Sequence, residues 1–169
     1  KDYTPVSQFI SGQVFDADLG LLGVGTVYGG RHGQISLAFG GFEIALINME
    51  TGQLDDDAGN TTGGDIDTIL PKIEASYAMS FDAFNFGVQG GYNYYKLSDV
   101  TNVAGTSRDD IDVTSWTIGG DAGFNFGPGY VKAALSYGEN IGTAGWSLPG
   151  NRNQGGYAVW DGDDSTDDT

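Results

Sequence analysis

An all-β, antiparallel fold is what the sequence predicts, on three observations. Apolar and polar residues alternate in short runs, those runs are bounded by Gly, Asn, Asp and Pro, and leucine-rich helical periodicity is nowhere sustained in the 169 residues. The 29 glycines, 9 tyrosines and 9 phenylalanines suit strands and tight turns better than helices.

Three hairpins follow in order. In GQISLAFGGFEIALINM a two-residue Gly40-Gly41 turn pairs Phe39 with Phe42, Leu37 with Ile44 and Ile35 with Leu46. In LPKIEASYAMSFDAFNFGVQGGYNYY the apolar parity is odd in the first half (Ile73, Ala75, Tyr77, Met79) and even in the second (Phe84, Phe86, Val88, Gly90, Tyr92, Tyr94). A turn at Ser80 to Ala83 reconciles the two by pairing Met79 with Phe84, Tyr77 with Phe86, Ala75 with Val88 and Ile73 with Gly90, all on one face. In VTSWTIGGDAGFNFGPGYVKAALSYG a turn over residues 127–130 pairs Phe126 with Val131, Phe124 with Ala133, Ala122 with Leu135 and Gly120 with Tyr137. A seventh strand is expected at residues 6–15 (VSQFISGQVF). Long polar segments, Glu50 to Ile66, Ser98 to Asp110 and Glu139 to Thr169, read as loops at the end opposite the tight turns.

Composition narrows the function classes. Seven Lys plus Arg against 23 Asp plus Glu give a net charge of −16, which repels nucleic acid and anionic surfaces. The absence of cysteine rules out disulfides and thiolate metal sites. There is no run of 18 apolar residues, and this excludes a spanning helix but not a spanning strand of about 9–11 alternating residues.

The two faces differ in an unusual way. The polar face is small and glycine-rich (Ser76, Ser80, Gly87, Gly91, Ser115, Thr117, Gly119, Gly123), with few charges for a surface in bulk water. The apolar face carries aromatics near the tight turns (Phe39, Phe42, Tyr77, Phe84, Phe86, Phe124, Phe126) and at the other end (Tyr92, Tyr94, Trp116, Tyr137). Two aromatic bands around an aliphatic middle, with short turns on one side and long loops on the other, suit an antiparallel transmembrane β-barrel, greasy outside and wet inside. A soluble or secreted barrel with a ligand inside is the alternative.

On these hairpins the sequence resembles the porins of Gram-negative outer membranes. FGGFEIALIN, LPKIEASYAMSFDAFNFGVQGGYNYY and GFNFGPGYVKAALSYGENIG read as porin hairpin text, and the resemblance covers roughly residues 34–138. It implies passive diffusion of small hydrophilic solutes or ions, contact with outer-membrane lipid and lipopolysaccharide, a homotrimer, and no catalysis or cofactor. Residues 1–33 then form a loop-rich segment, 34–138 three transmembrane hairpins and 139–169 a long acidic extracellular loop. Six or seven strands are fewer than the eight of the smallest common closed barrel. With no aromatic-ended final strand before DGDDSTDDT, the chain is expected to be an internal piece of a larger barrel.

Parity puts Lys72, Glu74, Gln89, Asp121 and Lys132 on the wet face as pore-lining candidates, with Glu74, Gln89 and Asp121 at similar heights near mid-membrane. A wall of mixed sign below acidic mouth loops suggests cation or neutral-solute preference. The resemblance also implies a loop folded into the lumen; residues 16–33 are the candidate, with Asp16, Asp18, Arg31 and His32 at the constriction.

Other chemistry is poorly supported. His32 is the only histidine and has no partner at nucleophile spacing. GVGTVYGGRHG is followed by no Lys-Ser/Thr, so it does not read as a phosphate loop. The clusters Asp55, Asp56, Asp57 and Asp161, Asp163, Asp164, Asp167, Asp168 lack EF-hand spacing and read as solvated loops, with loose divalent-ion binding beside lipopolysaccharide as a middle case.

Overall fold

The computed structural model describes residues 2–7, 29–48, 55–56, 63–101, 107–108, 111–146, 158–160 and 167–168. Among these the protein is mostly antiparallel β-sheet and has no α-helix. Its strands are β1 (Asp2–Tyr3), β2 (Arg31–His32), β3 (Gln34–Phe39), β4 (Phe42–Ile47), β5 (Asp55–Asp56), β6 (Gly63–Asp67) and β7 (Lys72–Ser80). They continue with β8 (Phe84–Thr101), β9 (Ser107–Arg108), β10 (Ile111–Asn125), β11 (Tyr130–Glu139), β12 (Ala158–Trp160) and β13 (Asp167–Asp168).

The main sheet runs β11-β10-β8-β7-β4-β3, with β6 and β9 added to β8. Each main strand lies beside its neighbour in the chain, as in a meander. Among the described residues the sheet is not closed into a barrel: β3 and β11 are its two ends.

The Gly40-Gly41 hairpin has the expected register, and both glycines take positive φ, 56° and 85°. That geometry matches the strand twist, and a side chain at position 41 would also collide with the Ala78 carbonyl oxygen. Gly41→Ala is therefore expected to cost about 1–3 kcal/mol and lower the urea midpoint, with an unchanged midpoint contradicting this account.

The other two hairpins differ from expectation by two residues. Met79 pairs with Phe86, not Phe84, and Phe124 pairs with Val131, not Ala133. The turns keep the expected four residues but are displaced by one position, the first toward the C-terminus and the second toward the N-terminus: Ser80 pairs with Asn85 around residues 81–84, and Asn125 pairs with Tyr130 around residues 126–129. Backbone bonds from Phe81 N–H to Phe84 O (2.6 Å) and from Phe126 N–H to Gly129 O (3.0 Å) close them. A two-residue slip leaves every side chain on its expected face.

One loop assignment and one strand assignment also change. β8 continues past Ser98 to Thr101 and pairs there with β6 and β9, so the segment Ser98 to Asp110 is partly strand. Asp99, at φ 55°, lies where the β6–β8 register shifts, and this bulge turns Leu97 and Val100 to the same side. At the other end, Pro5–Ser7 is a 3-10 turn, which contradicts a strand beginning at Val6; the rest of the expected 6–15 strand lies outside the described residues.

The tight turns are staggered. The first closes at Phe42, level with Tyr77; the second closes three residues further along β7, at Ser80. Gly123 is level with Ser80 through Asn85, and the third turn closes two residues beyond it, at Asn125. At a rise of about 3.3 Å per residue and a spacing of ~4.8 Å between strands, these steps correspond to strands leaning about 35–45° from the perpendicular to the line of turns.

Candidate functional site

The sheet buries its polar face and exposes its apolar one. Row by row, the outer face reads Ile35, Leu46, Ile73, Tyr92, Trp116; then Leu37, Ile44, Ala75, Gly90, Ile118, Tyr137; then Phe39, Phe42, Tyr77, Val88, Gly120, Leu135. Ile35 is 78% exposed and Leu135 76%. Phenyl rings contact one another toward the turns, Phe39 with Phe42 at 5.5 Å and Phe84 with Phe86 at 6.1 Å. At the opposite end Trp116 meets Tyr137 edge-on at 5.6 Å and donates its Nε1–H to Glu139, while Tyr94 donates to Asp112. The Lys96–Asp112 ion pair (3.4 Å) lies just beyond this band. From Phe84 to Tyr94 the apolar stripe on β8 spans ten residues, about 25 Å of height at the tilt given above. Ala75 and Gly90 floor a shallow recess in it, rimmed by Phe42, Tyr77, Val88 and Ile118.

The inner face is covered by two segments from outside the hairpins. The 3-10 turn Pro5–Ser7 packs over β4, β7 and β8, and residues 140–146 fold back from the end of β11. Asn140 takes φ 51°, its Nδ2–H donates to Thr114 O, and Trp146 N–H returns to Ile141 O at 3.0 Å. Val6, Ile141, Ala144 and Trp146 pack together, and the indole occupies the space that a side chain at Gly91 would need. A second apolar cluster, Tyr95, Leu97, Val100, Ile111 and Val113, fills the inner side nearer the long loops.

Glu74 ties both covering segments to the sheet. Its Oε2 accepts from Val6 N–H at 3.0 Å, and its Oε1 accepts from Trp146 Nε1–H at 2.8 Å. Lys72 Nζ lies 3.6 Å from Oε1, donates to Ala144 O at 3.3 Å and sits 5.4 Å from the centre of the Trp146 ring. Glu74 and Lys72 are both 0% exposed. The wet wall expected at these two positions is thus corrected: the pair is a buried anchor, because apolar and backbone groups cover it and use its hydrogen-bonding capacity.

The remaining candidates divide. Gln89 is buried and Asp121 half-buried on the inner face, while Lys132 is exposed near the third turn with Nζ 5.7 Å from the Tyr130 ring. Arg31 stacks over Tyr3 at 4.1 Å, and β1 pairs with β2 there. His32 Nε2 contacts Gly29 O and is half-buried. Asp16 and Asp18 lie outside the described residues. The acidic stretches are joined through backbone pairing, β12 lying parallel to β5 and antiparallel to β13. The covering roles of Val6 and Trp146 were missed: Val6 reads as the start of a strand but sits in a 3-10 turn, and Trp146 belongs to no alternating run.

Comparison with protein-family models, with curated protein sequences and with solved structures finds no match to this chain.

Proposed function

We propose that the chain forms wall of an outer-membrane channel, a porin that passes small hydrophilic solutes by diffusion. The observation that carries this is the orientation of the sheet: aliphatic and aromatic side chains stand exposed on one face, while Glu74, Gln89, Asn93, Ser115 and Thr117 are buried on the other. A soluble monomer seldom exposes an apolar area of that extent, whereas lipid solvates it. A ligand-binding barrel in water would turn Ile35, Leu37 and Leu135 inward instead.

Three further features support the reading. The apolar stripe is about 25 Å tall, the height of the lipid-facing band of outer-membrane barrels. Aromatic residues gather at both its margins, where amphipathic rings sit at headgroup level. The lean of about 35–45° is the tilt that barrel closure demands. Further strands beside β3 and β11 would complete the ring, and trimer formation and contact with lipopolysaccharide belong to the same proposal. In this setting Pro5–Ser7 and residues 140–146 are the segments that narrow the lumen.

The test is direct. Expressed together with the strands that complete the ring, the protein should require detergent for extraction from membranes and give steady conductance in planar bilayers. A water-soluble monomer without conductance would overturn the reading.

A further inference from the structure

Resting on the channel reading, we infer that Gln89 and Asp121 form a subsite for neutral, hydroxyl-rich solutes such as polyols or monosaccharides. The anchor described above removes the most obvious basis for ion selection. The Glu74 carboxylate is spent on two N–H donors and Lys72, so neither charge presents a field to a passing ion.

One row nearer the turns the chemistry changes. Gln89 is 5% exposed, yet neither its Nε2 nor its Oε1 has a hydrogen-bond partner among the described residues. Asp121 Oδ1 is likewise buried without one. Buried polar atoms of this kind are nearly always satisfied in a working protein, by water or by a ligand. Gln89 is level with Gly119, and Asp121 with Gly87, making the two diagonal neighbours on adjacent strands, about 7–8 Å apart at the backbone. Gly119 matters to this arrangement, since a Cβ there would sit 3.0 Å from Gln89 Nε2 and crowd the carboxamide. Ser76 and Ser136 flank the row on either side.

The three unpaired atoms select the ligand. A carboxylate oxygen and an amide oxygen accept, while the amide nitrogen donates. A bare cation would satisfy Asp121 and leave Gln89 Nε2 unserved, and an anion would be repelled by the carboxylate. Vicinal hydroxyls can donate to Asp121 Oδ1 and Gln89 Oε1 and accept from Gln89 Nε2 together.

The test compares two neutral probes of similar size, D-arabitol and triethylene glycol, by swelling of liposomes containing the protein with its ring of strands complete, alongside conductance in potassium chloride. Arabitol is expected to enter about threefold faster or more, because a site built for vicinal hydroxyls discriminates against an analogue whose two hydroxyls are far apart. Gln89→Met and Asp121→Asn should each reduce that ratio by more than half. Conductance with equal rates for the two probes in the unaltered protein would overturn the subsite and leave the channel intact. An unchanged ratio in both variants would do the same. Absence of conductance would overturn the channel reading itself, and the subsite with it.

Discussion

Under the channel reading, replacing Ile118 with lysine is expected to destabilise the protein in a bilayer by about 2–4 kcal/mol, the cost of a cation on a lipid-facing surface near the midplane. Ile118 is 59% exposed, in the central row between Gly90 and Tyr137. Were that face in water, the same change would fall within about 0.5 kcal/mol, as surface substitutions usually do. Depth supplies the control: Phe126, in the third turn, lies at the margin of the apolar stripe, where lysine should cost only about 0–1 kcal/mol. Urea titrations in lipid vesicles measure both. Equal costs at the two positions would mean that lipid does not solvate the sheet.

The second large effect concerns Glu74. Glu74→Ala strands the buried Lys72 charge and leaves Val6 N–H and Trp146 Nε1–H without their acceptor. Breaking one side of a buried pair typically costs about 3–5 kcal/mol, so the unfolding free energy should drop by that order. Trp146 should leave its apolar site, giving a red shift in its fluorescence, and under the channel reading the conductance should rise. The double change Lys72→Met with Glu74→Leu should recover much of the loss, because a well-packed apolar pair can replace a buried ionic one. A Glu74→Ala protein with unaltered stability and fluorescence would show that the anchor holds nothing.

What could be read in the sequence was the set of facing residues. Side-chain parity depends only on alternation, and so Phe84 and Val88 fell on the outer face and Gln89 on the inner one in sequence and structure alike. Register was less legible. The Gly40-Gly41 turn announces its own position through two consecutive positive-φ glycines, but residues 81–84 hold no glycine and residues 126–129 only Gly127 at positive φ, and a shift of two leaves the pattern unchanged. The extension of β8 beyond Ser98 was hidden because the Asp99 bulge interrupts the alternation it would otherwise have continued.

The candidate site was half legible for a different reason. Parity placed Lys72, Glu74, Gln89 and Asp121 on one face correctly, yet nothing local to them says what covers that face. Trp146 and Val6 lie 72 and 68 residues from Glu74, the first in a segment without periodicity and the second in one that reads as a strand, and only tertiary structure brings them in.

That separation also sets an order of assembly. Each main strand pairs with its chain neighbour, so the meander can grow hairpin by hairpin at small cost in loop closure. The contacts of Glu74 to Val6 and Trp146 bridge the meander from before its first strand and after its last. Both are long-range contacts, so they are expected to close later than the hairpins, with one carboxylate joining the two flanking segments to the wall.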